Sequence, residues 1–297
     1  MTPEPTRVPD AVRNDYEHRL NSHWEAKQAD DINLLLGEMD GLYHHHYAVG
    51  DFDRTVLTAP PERRQQLILR EMHRMESEQV ALILDSLGEP PAGARLLDAG
   101  SGRGGTSFMV HDRFGCSVDG VNFCEHHLAF SRELATRRGC ADRVRFHYAN
   151  MAATPFADES FQYVVTNETT MYVDLFETFA EFARILAPGG RYVLVTWCEN
   201  DAATAAGTSP EVKTIDSHYV CRIHPRSTYF RALAASGLVP SAVHDLTTEA
   251  IPYWELRRHC DLSTGVETPF LDGYRGNRLN YLVIVAEKAL TRDQAAA

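Results

Sequence analysis

Leu96-Leu97-Asp98-Ala99-Gly100-Ser101-Gly102-Arg103-Gly104-Gly105 decides the reading of this chain. An apolar run, a carboxylate and a cluster of glycines mark a strand that turns sharply into a helix. Glycine lets the backbone turn tightly and approach a ligand closely. By itself such a loop can serve a dinucleotide, a flavin or S-adenosylmethionine (SAM). Here the spacing is G-x-G-x-G rather than the dinucleotide G-x-G-x-x-G. Asp98 also closes the strand ahead of the glycines. Both features favour SAM.

Downstream, short apolar runs alternate with helical stretches, which is the pattern of βαβ units around a parallel sheet. The runs predict strands over residues 95–98, 117–121, 144–148, 162–166 and 192–197, then 242–246 and 280–286. A helix from Val173 carries Leu175, Phe179, Phe182 and Leu186 on one face, spaced to pack on a sheet. The expected fold is α/β and Rossmann-like, with a mostly parallel seven-stranded sheet. Upstream, residues 15–27 and Pro61–Leu87 read as helices, the second with Leu67, Leu69, Met72, Met75, Val80, Ile83 and Leu87 as its apolar residues. Gly88 and Pro90-Pro91 close that region. The chain therefore divides into a disordered N-terminus (1–12), a helical lid (13–90), a SAM-binding domain (91–290) with an irregular substrate-loop insertion (198–225), and a disordered tail (291–297).

The 297 residues carry a formal net charge of −12, which argues against nucleic acid or an anionic membrane as the general partner. The N-terminus, MTPEPTRVPD, has no apolar signal region. The chain has no run of about 18 apolar residues, the length a membrane span needs. The six cysteines are irregularly spaced without a CxxC pair, as in thiols of a reducing compartment, and the expected location is the cytoplasm.

Asn150-Met151, after the third strand, offers an amide and an apolar face for an adenine. The second strand often ends in a carboxylate for the ribose hydroxyls, and here Asn122 stands at that place. Asp119 is the alternative, though strand alternation turns it to the other face. Phe123 and His127 lie within reach. The cofactor set is therefore Asp98, Gly100, Gly102, Gly104, Asn122, Phe123, His127, Asn150, Met151 and Asn167. Ligands of open α/β sheets sit beyond the carboxyl ends of the strands. That places Asn167-Glu168-Thr169-Thr170-Met171-Tyr172 at an acceptor pocket, with Glu168 either a base or a helix-capping carboxylate.

Four segments together resemble the bacterial geranyl diphosphate C-methyltransferases, which are kin to sterol and tocopherol methyltransferases. They are Asp40-Gly41-Leu42-Tyr43-His44-His45-His46-Tyr47, the glycine loop from Asp98, Asn167-Glu168-x-Thr170-Met171-Tyr172-Val173-Asp174-Leu175, and Pro252-Tyr253-Trp254-Glu255-Leu256-Arg257. The resemblance runs from about Trp24 to Ala286. It implies SAM and Mg²⁺ as cofactors, a prenyl diphosphate acceptor and a homo-oligomer. The implied reaction forms a carbon–carbon bond and a tertiary carbocation. Glu168 then quenches it among the ring faces of Tyr47, Tyr172 and Tyr219, the last standing where the family has Phe. Asn33, Tyr43, His44, His45 and Trp254 are implied around the substrate and its diphosphate, with Mg²⁺ held mainly through diphosphate and water. Leu35, where relatives carry Arg, and Glu211, where an aromatic is expected, depart from the pattern. Methylation of geranyl diphosphate at C2 leads. C6 methylation, an isopentenyl or farnesyl acceptor, and a small-molecule O- or N-methyltransferase are the alternatives.

Overall fold

The computed structural model describes residues 7–8, 10–28, 30–91, 93–204 and 207–290. Helices α1 (Asp15–Ala26), α2 (Asp31–Gly37) and α3 (Pro61–Leu87) precede the sheet, with a 3₁₀ turn at Arg54–Thr58. Then follow β1 (Arg95–Ala99), α4 (Gly105–Phe114), β2 (Ser117–Asn122), α5 (Glu125–Arg137), β3 (Val144–Tyr148), β4 (Phe161–Asn167), α6 (Leu175–Ile185) and β5 (Leu186–Glu199). The chain continues through α7 (Asp201–Thr204), α8 (Pro210–Tyr219), α9 (Arg226–Ala235), β6 (Leu238–Asp245), α10 (Thr247–Arg257), α11 (Glu267–Arg275) and β7 (Leu279–Lys288).

The sheet order is β3-β2-β1-β4-β5-β7-β6. Pairs among the first five strands are parallel, and β7 runs antiparallel to both neighbours. Alternate strand residues feed two cores. Leu96, Val165, Val193, Val195, Val283 and Val285 join the layer of α3, α4, α5, α10 and α11. Leu97, Val164, Leu194, Leu282 and Ile284 join the layer of α6 and α9. Both faces are covered, so the strands read as nearly continuous apolar runs. Helix α3 starts with Pro61 at its first turn and stops at Gly88, whose φ of 75° suits glycine. Its Ile68, Met72, Met75, Val80, Ile83 and Leu87 pack into the same cluster as the sheet.

Two expectations fail in this frame. Part of the N-terminus is held rather than disordered: Val8 N donates to Tyr148 O at 2.8 Å, and Ala11 is buried. Residues 1–6 and 9, and the tail 291–297, lie outside the described residues. The 198–225 stretch is not irregular, because it carries α7 and α8. Ser209 caps α8 by accepting from Val212 N, and Pro210 fills its first position. Among the described residues no helix is long and apolar enough to cross a membrane.

Candidate active site

Beyond the carboxyl end of β1 the chain turns through Gly100 (φ 86°) and Gly102 (φ 52°) into α4. A Cβ on Gly105 would lie 2.6 Å from His44 Nδ1 and 2.7 Å from Tyr43 O, so the Tyr43–His44 backbone rests on the loop itself. Between them is a cavity lined by Asp98, Gly100, Gly102, Asn122, Phe123, His127, Met151 and Asn167, as the sequence predicts. Ser101, Arg103 and Trp24 also line it, and the sequence reading missed them. Gly104 and Asn150 do not line it. Gly104 faces Phe146 and Phe108, where a Cβ would sit 2.7 Å and 2.9 Å from their rings. Asn150 donates its amide to Ala11 O at 3.0 Å, so the N-terminal segment consumes it. Asp119 points to the opposite side, bound by Arg95 at 2.6 Å, His147 at 2.8 Å and Arg145 at 3.1 Å. Asp98 accepts from Ser107 at 2.6 Å, and burial pushes its carboxyl up to about 6 despite that bond. Four buried polar atoms on lining residues, Ser101 Oγ, His127 Nε2, His44 Nδ1 and His46 Nε2, have no protein partner. Buried polar groups are normally paired, so an enclosed wall with spare donors and acceptors fits a polar, aromatic ligand such as SAM.

A second cavity opens beside the first. Lys27, Asp30, Asn33, Tyr47, Trp197, His218, Tyr219 and Arg257 line it. Trp24, His45, His46, Glu168 and Tyr172 line both cavities and form their common wall. Asp30 gathers His45 Nε2 at 2.8 Å, Asn33 Nδ2 at 2.9 Å and Arg103 Nη1 at 3.0 Å, and His45 also contacts Arg103. Burial raises the Asp30 carboxyl, but these bonds outweigh it and hold the group well below the usual range. His44, His45 and His46 are all lowered, first by burial, so near neutral pH they are neutral hydrogen-bonding groups. Lys27 and Arg257 supply the positive charge, although Arg257 also pairs with Glu267 at 3.2 Å. Among the described residues of this lining, Asp30 is the only carboxylate besides Glu168. That fits a Mg²⁺ ion held mainly by diphosphate and water.

The structure moves three of the residues expected around the substrate. Tyr43 and His44 line the first cavity and not the second. Trp254 lines neither: it is buried behind Tyr47 at 4.4 Å between ring centroids and stacks on Phe270 at 4.1 Å. The hydroxyls of Tyr47 and Tyr219 contact each other.

Glu168 stands at the junction. It is a non-glycine residue at φ 53°, a backbone conformation that costs about 1–3 kcal/mol and recurs at functional sites. Its side chain is buried and caps no helix, since Asp174 caps α6. Tyr281 donates to Oε1 at 2.5 Å; Trp197 Nε1 and the Tyr47 amide donate to Oε2 at 3.0 Å and 3.1 Å. Gln79 donates to the Tyr281 hydroxyl at 3.1 Å and to Asn167 at 2.7 Å. Burial is the largest influence and raises the carboxyl, the three donors pull it down, and it settles at about 7. Such a group exchanges a proton near neutrality, the condition for a general base.

The sheet order with one antiparallel strand, and the glycine-loop cavity at the carboxyl ends, define a class I SAM-dependent methyltransferase. Residues 96–190 match a model described as a methyltransferase domain. The chain is 46% identical to geranyl diphosphate 2-C-methyltransferase of Saccharopolyspora erythraea over 92% of its own length and 95% of that protein. It is also similar to the solved geranyl diphosphate C-methyltransferase of Streptomyces coelicolor in complex with Mg²⁺, geranyl-S-thiolodiphosphate and S-adenosylhomocysteine. There the identity is 40% and the TM-score 0.90, over 94% of this chain and all of that one. A geranyl diphosphate methyltransferase in complex with geranyl diphosphate and sinefungin is 42% identical, with a TM-score of 0.88 over 93% of this chain and all of that one. The chain belongs to the geranyl diphosphate 2-C-methyltransferase family.

Proposed function

We propose that this protein transfers a methyl group from SAM to C2 of geranyl diphosphate. The observation that carries the proposal is a buried carboxyl at the common wall of two cavities, one suited to SAM and one lined by rings and cations. SAM supplies an electrophilic methyl when bound, and Asp98, Asn122, Met151 and His127 are the residues we assign to hold it. Lys27 and Arg257, with Asn33 and His45, face the diphosphate and its Mg²⁺. A new bond at C2 leaves a tertiary cation at C3. Tyr47, Tyr172 and Tyr219 turn ring faces toward it, each worth about 0.5–2 kcal/mol. Glu168 as carboxylate favours that charge and then takes the proton from C2, restoring the C2=C3 alkene.

In this reading residues 13–90 act as the lid over the domain of residues 91–290, and the protein works in the cytoplasm. Self-association would use α2 and the turn after it, where Leu35 and Met39 are exposed. The test of function is incubation with SAM, Mg²⁺ and a panel of prenyl diphosphates. Geranyl diphosphate should give the fastest formation of a product heavier by one CH₂, with no turnover in Glu168→Gln. Equal or faster methylation of isopentenyl or farnesyl diphosphate would overturn the substrate assignment, and methylation of only phenols or amines would overturn the reaction class.

A further inference from the structure

The sequence Cys124-Glu125-His126-His127 opens α5 just past the Asn122-Phe123 wall of the cofactor cavity. Cys124 Sγ lies 3.2 Å from His126 Nδ1, and Cys124, His126 and His127 each offer a donor atom within 4.8 Å of the other two. A carboxylate from α1 stands beside His126: Glu25 Oε2 is 3.2 Å from His126 Nδ1, while Glu25 Oε1 accepts from Glu125 N. Two further facts separate this group from a chance surface cluster. Cys124 is 1% exposed and His127 is 3% exposed, so both belong to the interior. His127 Nε2, unpaired where the ring meets the cofactor cavity, is the donor that the metal and SAM would contest.

We infer that Cys124, His126 and His127 form a binding site for a soft divalent cation of the Zn²⁺ type, with Glu25 as fourth ligand, and that the metal competes with SAM. One thiolate, two imidazoles and a carboxylate suit zinc; magnesium prefers oxygen donors. Zn–S and Zn–N bonds of about 2.3 and 2.0–2.1 Å put tetrahedral donors roughly 3.4–3.6 Å apart, so separations of up to 4.8 Å among Cys124, His126 and His127 must close by up to about 1.2–1.4 Å. His126 is partly exposed, and rotation of its ring would supply part of that closure. Burial pushes the Cys124 thiol up to about 12, so the apo site holds a thiol. On binding, the S–H bond breaks, the S–metal bond forms and the proton passes to the buffer. His127 also lines the cofactor cavity, and one ring cannot turn to both the metal and SAM. The site lies apart from the diphosphate cavity, whose lining includes none of the three.

The test uses the full chain stripped of metal with a chelator and then titrated with Co²⁺. One equivalent should give a thiolate-to-cobalt charge-transfer band that one equivalent of Zn²⁺ bleaches and millimolar Mg²⁺ does not. Cys124→Ser should abolish the band. His126→Gln, at the partly exposed ring, should weaken it and guards against a folding failure of the first variant. The apparent dissociation constant of SAM, measured by calorimetry, should rise in proportion to free Zn²⁺, about tenfold when Zn²⁺ is about ten times its own dissociation constant. It should stay unchanged in Cys124→Ser. Absence of the cobalt band, or its persistence in both variants, would overturn the site. A normal band with unaltered SAM affinity would overturn the competition. The competition rests on the SAM reading of the cavity; the cobalt band does not, so the two failures are distinguishable.

Discussion

Replacing Tyr281 by Phe removes a hydroxyl that donates to Glu168 Oε1 at 2.5 Å and leaves the ring in place. A hydrogen bond to a charged group is worth about 1.5–3 kcal/mol, and each pKa unit corresponds to 1.36 kcal/mol. Losing this donor destabilises the carboxylate relative to the acid, so the Glu168 pKa should climb by about one to two units from its value of about 7. The proposed base acts ionised, so activity rises through that pKa. The ascending limb of kcat/KM against pH should therefore move one to two units alkaline in Tyr281→Phe. At pH 7, where the wild-type group is half ionised, the rate should fall about 5- to 50-fold and recover above about pH 9. The assay is a pH profile on geranyl diphosphate, with a thermal melt to show that the variant is folded. An ascending limb at the wild-type pH, with a normal melt, would refute the link between Tyr281, Glu168 and catalysis.

The raised pKa of Glu168 also has a stability consequence. A rise from 4.5 to about 7 favours the neutral acid by about 3 kcal/mol, an advantage held below pH 4.5 and lost as pH climbs through 7. Glu168→Gln stays neutral throughout, so its melting temperature should gain on wild type between pH 5 and pH 8.5; equal pH dependence of the two melts would contradict this. Tyr219→Phe keeps the ring and should hold kcat within about threefold, while Tyr219→Leu should lower kcat about 2- to 30-fold at little cost in KM. Gly105→Ala would press a methyl against His44 Nδ1 and Tyr43 O. It should cost about 1–3 kcal/mol in a denaturant melt and weaken SAM binding in calorimetry.

Much of this site is legible in the sequence because its strands are buried on both faces and end at recognisable loops. The glycine loop and Glu168 follow β1 and β4, where an α/β sheet puts its ligands, and fold and position agree there. What the sequence hid depends on contacts between distant segments. Nothing near Asn150 tells that its amide is spent on Ala11, and nothing near Trp254 tells that Tyr47 stands in front of it. Tyr281 sits in an apolar strand and reads as core, yet its hydroxyl reaches the carboxyl across the sheet. Lys27 and Arg257 lie far apart in the chain, and only the packing of α1 and α10 brings them to one cavity. Helix α8 did carry a local signal, Ser209 followed by Pro210. Helix α10 was masked by Pro252, a residue tolerated poorly inside helices.

The role of Glu168 as the base that quenches the cation is tested most directly with geranyl diphosphate deuterated at C2, given to wild type and to Glu168→Gln with SAM and Mg²⁺. Wild type should release all of the deuterium to water and form the 2-methyl product, and the variant should form none. Deuterium kept in the product, or wild-type turnover by Glu168→Gln, would contradict the account.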